Sequence, residues 1–160
     1  MVRGTRGVVR GLAVGGVAGL AVVMGGGAAW AGDAGADVVY HGSAVMTGDQ
    51  VEVRLTPRNN GPSAVVDASV RLRWSVPLAE EQRLPAGCVR EEERAVVCRT
   101  GSLAVDGVGE RIVLSVRLKE RPPELTLEFE TAWGGGAGDT GKAHDRQRVL
   151  VLATGDTYAF

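Results

Sequence analysis

The strongest constraint on this chain is a period of two. In "QVEVRLTP", Val51, Val53 and Leu55 fall on one side, and Glu52, Arg54 and Thr56 on the other. In "ASVRLRWSV", Val70, Leu72, Trp74 and Val76 alternate with Arg71, Arg73 and Ser75. The same rhythm places Ile112, Leu114, Val116 and Leu118 together in "RIVLSVRLK". It also groups Leu125, Leu127 and Phe129 in "LTLEFETAW", with Trp133 continuing the row. Side chains project alternately from an extended strand, so each run predicts a strand with one face in a core and one in water. "RVLVLAT" is continuously apolar and predicts a strand buried on both faces. "ADVVYHGSAVM" reads as one or two shorter strands, and the residues around Val96 and Val97 as part of a hairpin.

Turn-forming residues separate the runs: Asn59-Asn60-Gly61-Pro62, Leu84-Pro85-Ala86-Gly87, Asp106-Gly107, Pro122-Pro123, and a glycine-rich loop from Gly134 to Gly141. Pro fixes φ, Gly permits left-handed backbone, and Asn can hydrogen-bond its own turn, so these points end strands. No stretch has a helical period. "PLAEEQRLP" is rich in Ala and Glu, but Pro77 and Pro85 bound it and leave room for a single turn. About seven short strands with frequent turns predict an all-β, immunoglobulin-like antiparallel β-sandwich.

The first 31 residues read differently. Arg3, Arg6 and Arg10 precede an apolar stretch from Gly11 to Met24, and Ala29-Trp30-Ala31 offers small residues at Ala29 and Ala31. That is the layout of a secretory signal peptide, with cleavage expected after Ala31 and Ala36 as a second choice. The rival is an uncleaved anchor, but the apolar span is short and glycine-rich for a permanent helix. The arginines are not paired and no Cys follows the apolar stretch, which disfavours twin-arginine and lipoprotein signals. Residues 1–31 hold three of the 18 basic side chains and none of the 19 acidic ones, so residues 32–160 carry 15 against 19, net −4. Such a chain has no electrostatic reason to grip nucleic acid or anionic lipid. At 129 residues the 32–160 segment suits one domain with its own core.

Cys88 and Cys98 are the only cysteines, framing "CVREEERAVVC". In an exported chain such a pair is expected to form a disulfide across a hairpin. A metal pair would need three or four ligands, and His41 and His144 lie far away in sequence. A redox centre would favour C-x-x-C, which is absent. The run Glu91-Glu92-Glu93-Arg94 then reads as a solvated hairpin tip, not an acid/base pair.

In order along the chain stand Asn60-Gly61-Pro62-Ser63, a strand from Val66 to Val76, Leu84-Pro85-Ala86-Gly87, Cys88, Cys98, Gly101-Ser102-Leu103, Gly107 and a strand from Ile112. This succession resembles the bacterial extracellular immunoglobulin-like module known as domain of unknown function eleven, related to adhesion-type repeats. The resemblance covers about Val51 to Leu118. It departs in spacing, since Gly87 and Cys88 are adjacent where the family has a longer strand, and in copy number, since one copy is present. It implies a surface-exposed sandwich and brings no catalytic residues.

Several motifs point elsewhere and are declined. Gly136 to Ala143 nearly matches G-x-x-x-x-G-K-[ST], but Ala143 stands where the magnesium-binding hydroxyl belongs, and a strand rather than a helix follows. His41 and His144 have acidic and serine neighbours in sequence, but nothing resembles a nucleophile elbow. Trp74 is expected to pack over the disulfide, as a strand tryptophan does in such sandwiches. Trp133 and Tyr158 are candidate partner contacts, Trp133 because it adjoins the glycine-rich loop. A terminal Phe160 suggests an outer-membrane barrel signal, but the chain is too short and too charged for one.

These readings predict a secreted, non-enzymatic module without cofactor or metal. It would be monomeric and free of the membrane once processed, and would bind an extracellular protein or cell-surface component. The alternative is a secreted inhibitor or ligand-binding protein using the 134–143 loop or the Cys88–Cys98 hairpin.

Overall fold

The computed structural model describes residues 35–135 and 146–160. The expected cleavage residues Ala29 and Ala31, most of the 134–143 loop and His144 lie outside the described residues.

The described residues form nine strands: β1 (Val38–Thr47), β2 (Gln50–Asn59), β3 (Val65–Trp74), β4 (Cys88–Glu92), β5 (Ala95–Leu103), β6 (Ile112–Arg117), β7 (Glu124–Trp133), β8 (Arg146–Leu152) and β9 (Thr157–Ala159). Alternation predicted about seven. The two shortest, β4 with five residues and β9 with three, are too brief to show a clear period. "ADVVYHGSAVM" yields one ten-residue strand, β1, joined to β2 by the two-residue turn Gly48-Asp49. Gly48 supplies the left-handed φ of 64° that this turn demands. The segment around Glu80 forms no helix and runs irregularly, as Pro77 and Pro85 at its ends favour.

All pairings between strands are antiparallel. One sheet has the order β6-β2-β1-β9, the other β4-β5-β3-β7-β8. Their inner faces meet in one core. Tyr40, Met46, Val53, Leu55 and Leu114 come from the first sheet, and Val70, Leu72, Trp74, Leu127 and Phe129 from the second. All are essentially withdrawn from water, which is the main source of stability at about 25 cal/mol per Å² of apolar surface. Tyr40 Oη and Thr131 Oγ1, one from each sheet, share a hydrogen bond of 2.9 Å. A hydroxyl buried in such a core costs free energy unless it is paired in this way.

Two strand-level expectations change. β8 is not buried on both faces. Arg146, Arg148 and Leu150 are exposed and only Val151 is fully buried, because β8 is the last strand of its sheet and has one face in water. Trp133 does not continue the inward row of β7. A register shift opposite Ser69 and Val70 breaks the alternation there and leaves Trp133 54% exposed.

The disulfide is present between Cys88 and Cys98. The two residues sit directly opposite each other on β4 and β5, with Cα atoms 4.0 Å apart. Trp74 is buried, but it is not placed over this bond. Cys98 lies opposite Val70, and Trp74 is four residues further along β3, about 13 Å at the usual strand rise. The cysteines are only ten residues apart and share one hairpin, so their bond joins neighbours in one sheet and not the two sheets.

Candidate interaction surface

The end of the sandwich where β2, β5 and β7 finish and β3 and β6 begin is organised by one side chain. Asn59, the last residue of β2, is fully buried. Its Oδ1 accepts from the main-chain N–H of Asp37 (3.2 Å) and of Gly61 (3.0 Å). Its Nδ2 donates to the carbonyls of Ser63 (2.7 Å) and Ala104 (3.1 Å). The carboxamide thus uses two acceptor sites and both donors, its full capacity. Main-chain bonds reinforce it: Asn60 N–H to Asp37 O at 2.7 Å, Asn59 N–H to Gly107 O at 2.9 Å, and Gly109 N–H to Pro57 O at 2.9 Å. Gly61 packs so tightly that a Cβ there would lie 2.5 Å from both Asp37 N and Gly35 O. The Asn-Asn-Gly-Pro turn is therefore a structural corner that holds three chain segments together.

On this end, apolar side chains face water. Val66 at the start of β3 is 81% exposed, Trp133 at the end of β7 is 54% exposed, and Val108 in the loop between β5 and β6 is 63% exposed. Val105 in the same loop and Pro62 in the corner are exposed as well. Single exposed valines are ordinary. An exposed tryptophan at the same end is less common, and aromatic side chains of this kind are enriched where proteins meet partners.

The outer faces of the two sheets offer different chemistry. On the five-stranded sheet, Arg71 grips Glu91 of β4 through Nε and Nη2 (2.5 and 2.7 Å) and Glu130 of β7 through Nη1 (2.7 Å). Arg146 of β8 also reaches Glu130 at 3.0 Å, Arg148 pairs with Glu128, and Arg73 pairs with Glu92 at 3.0 Å. The hydrogen bonds from Arg71 hold the carboxyls of Glu91 and Glu130 below the usual range, and both carboxylates raise Arg71. The acidic hairpin is thus bound to its own sheet. Its Glu91 and Glu92 reach back to β3 across Ala95 and Val97 of β5.

On the four-stranded sheet, Ser43, Thr47, Gln50, Glu52 and Arg54 line an open polar groove of about 450 Å³. A second of about 880 Å³ shares Gln50 and Ser115 and extends past Gln82 and Arg117. Among the described residues, no aromatic side chain lines either groove.

The two expected contact residues are separated. Trp133 belongs to the Asn59 end. Tyr158 lies on β9 opposite Ala44, half-buried against the core, with its hydroxyl 3.2 Å from Thr154 Oγ1. His41 is exposed on β1 opposite Thr56. Among the described residues, no three His, Cys, Asp or Glu side chains gather where they could hold a metal ion. No described helix is long and apolar enough to cross a membrane.

The role of Asn59 and the exposed Val66, Val105 and Val108 were not singled out by sequence reasoning. A buried position for Asn59 was foreshadowed by its odd-numbered parity with Val51, Val53 and Leu55. No model of a known protein family matches the sequence, and no curated protein matches it either.

Proposed function

We propose that this chain is an extracellular, non-enzymatic β-sandwich module that engages a protein or cell-surface component through the end carrying Trp133. The observation that carries the reading is the exposure of Val66 on β3, Trp133 on β7 and Val108 in the β5–β6 loop, at the end where Asn59 bonds Ser63 and Ala104. A rigid apolar contact loses little entropy on binding, which is how a small surface gains affinity. The Cys88–Cys98 disulfide supports an oxidising compartment, and the N-terminal pattern of Arg3 to Ala31 supports export to it. The resemblance to the immunoglobulin-like surface module points the same way. The pairs that Arg71 and Arg73 make with Glu91, Glu130 and Glu92 on the face of the five-stranded sheet make that face a poor rival surface, since covering it means desolvating pairs already made.

The test is site-specific photocrosslinking in the producing cells. A photoreactive residue replaces Val66 or Trp133 in one set and Ser115, on the opposite sheet face, in the other. Adducts of one defined mass at Val66 and Trp133 but not at Ser115 are expected. Adducts at Ser115 alone, or none at any position, would sink the reading.

A further inference from the structure

A two-sheet sandwich leaves four edge strands, each with main-chain groups free to pair, and β4 and β6 are closed here. The segment Pro77–Gln82 bridges them: Leu78 N–H bonds Glu93 O, Ala79 N–H bonds Arg117 O, and Lys119 N–H bonds Pro77 O, all at 2.9 Å. The Gln82 carboxamide accepts from Arg117 N–H (2.9 Å) and donates to Arg117 O (2.8 Å), as a neighbouring strand would. Arg90 of β4 donates to the carbonyls of Leu78, Ala79 and Glu93, and β4 carries a register shift between Arg90 and Glu92. These are recognised ways of blunting an edge.

On the other side, β9 is only three residues long. β8 is different. Its register with β7 runs unbroken from Arg146↔Glu130 to Leu152↔Glu124, without bulge, proline or lysine. Among the described residues no strand pairs with its other edge. Ala153 N–H bonds Pro123 O on the β7 side. Alternation along the ladder then turns the main-chain groups of Arg146, Arg148, Leu150 and Leu152 to the free edge. The exposed side chains of β8 belong to the first three of these residues. Arg146 and Arg148 each use one N–H on a β7 glutamate and remain about two-thirds exposed, and Leu150 is 51% exposed.

We propose that the free edge of β8 is a second docking site, which takes an extended acidic segment of a partner protein as an added antiparallel strand. The charge pattern selects the occupant. Running N to C, it carries an apolar or hydroxyl residue opposite Leu150, then carboxylates opposite Arg148 and Arg146. β7 presents this chemistry on the other side, with Thr126, Glu128 and Glu130 at those positions. Main-chain bonds supply affinity in such additions, and alternate side chains supply selectivity. The site is independent of the Asn59 end, so either can fail without the other.

The probe is a fluorescein-labelled peptide with the sequence of residues 124–131, titrated into the full chain by anisotropy and by amide chemical-shift mapping. Saturable binding is expected, with shifts concentrated on Arg146 to Leu152. A peptide with lysine in place of the two inner glutamates should bind at least tenfold more weakly. Leu150→Pro removes an outward N–H without touching the β7 ladder and should weaken binding at least tenfold. Equal binding of the lysine peptide, shifts centred away from β8, or no saturation at millimolar peptide would each overturn the proposal. So would a concentration-dependent dimer through β8 that excludes the peptide. Because the lysine-peptide comparison uses the unaltered protein, it stands even if Leu150→Pro fails to fold.

Discussion

The side-chain nitrogen of Asn59 donates to the carbonyl of Ala104, 45 residues further along the chain, at 3.1 Å. With its three other bonds, this contact fixes the β5–β6 loop, the Asn60–Ser63 corner and the segment at Asp37 in one arrangement. Asn59→Asp keeps the shape but replaces two donors with an oxygen facing two carbonyls. It is expected to destabilise the fold by about 2–4 kcal/mol, from lost hydrogen bonds and orphaned buried acceptors. Asn60→Asp, at an exposed position, is expected to change stability by less than about 0.5 kcal/mol. Urea denaturation of the two variants checks the contrast.

Gly61 and Gly48 are both turn glycines, but they are there for different reasons. A Cβ at Gly61 would meet backbone atoms at 2.5 Å, whereas one at Gly48 would meet nothing within 4 Å and only strain a φ of 64°. Gly48→Ala is therefore expected to cost about 1–2 kcal/mol. Gly61→Ala should cost clearly more, because the main chain at Gly35 and Asp37 must move. Equal melting temperatures for the two variants would contradict this account of the corner.

Arg71 predicts an acid-sensitive element. Its hydrogen bonds are the main cause that lowers the carboxyls of Glu91 and Glu130 below their ordinary value of 4.5. The unfolded chain therefore binds protons at these two sites before the folded one does. Their stabilisation is fully present above the ordinary value and is lost as pH falls through the lower folded values. Arg71→Met should lower stability at pH 7 by roughly 1–2 kcal/mol, since partly exposed pairs contribute modestly even in a network. The variant should also lose stability less steeply than the parent below about pH 4.5. Denaturation midpoints measured from pH 7 to pH 3 give both quantities.

Reduction of Cys88–Cys98 opens a loop with a separation of ten residues. The chain-entropy relation gives about 2–3 kcal/mol for a loop of this length. The fold should therefore survive reduction with a lower denaturation midpoint, since the core draws on both sheets and the bond joins only β4 to β5. Guanidinium titrations with and without reductant measure the difference.

The alternation in β2, β3, β6 and β7 made the sandwich legible, because one buried face per strand requires a period of two. The cysteines were legible as a hairpin staple. Pairing order was not. That Arg71 lies between Glu91 and Glu130 depends on β3 standing between β5 and β7, which no local pattern encodes. β8 misled for a related reason: Val149, Leu150, Val151 and Leu152 look like a central strand, and only the sheet order reveals an edge. Trp133 misled because a bulge is a single-residue event that periodicity cannot foresee. Asn59 was read as a turn former, and its larger role needs Ala104 and Asp37 brought together by the fold.

Intact mass of the protein recovered from culture medium measures the proposed export, processing and oxidation together. The sample is alkylated with and without prior reduction. A chain beginning at Gly32 is expected, with two thiols blocked only after reduction. A full-length mass in the membrane fraction, with both thiols alkylated without reductant, would contradict that expectation.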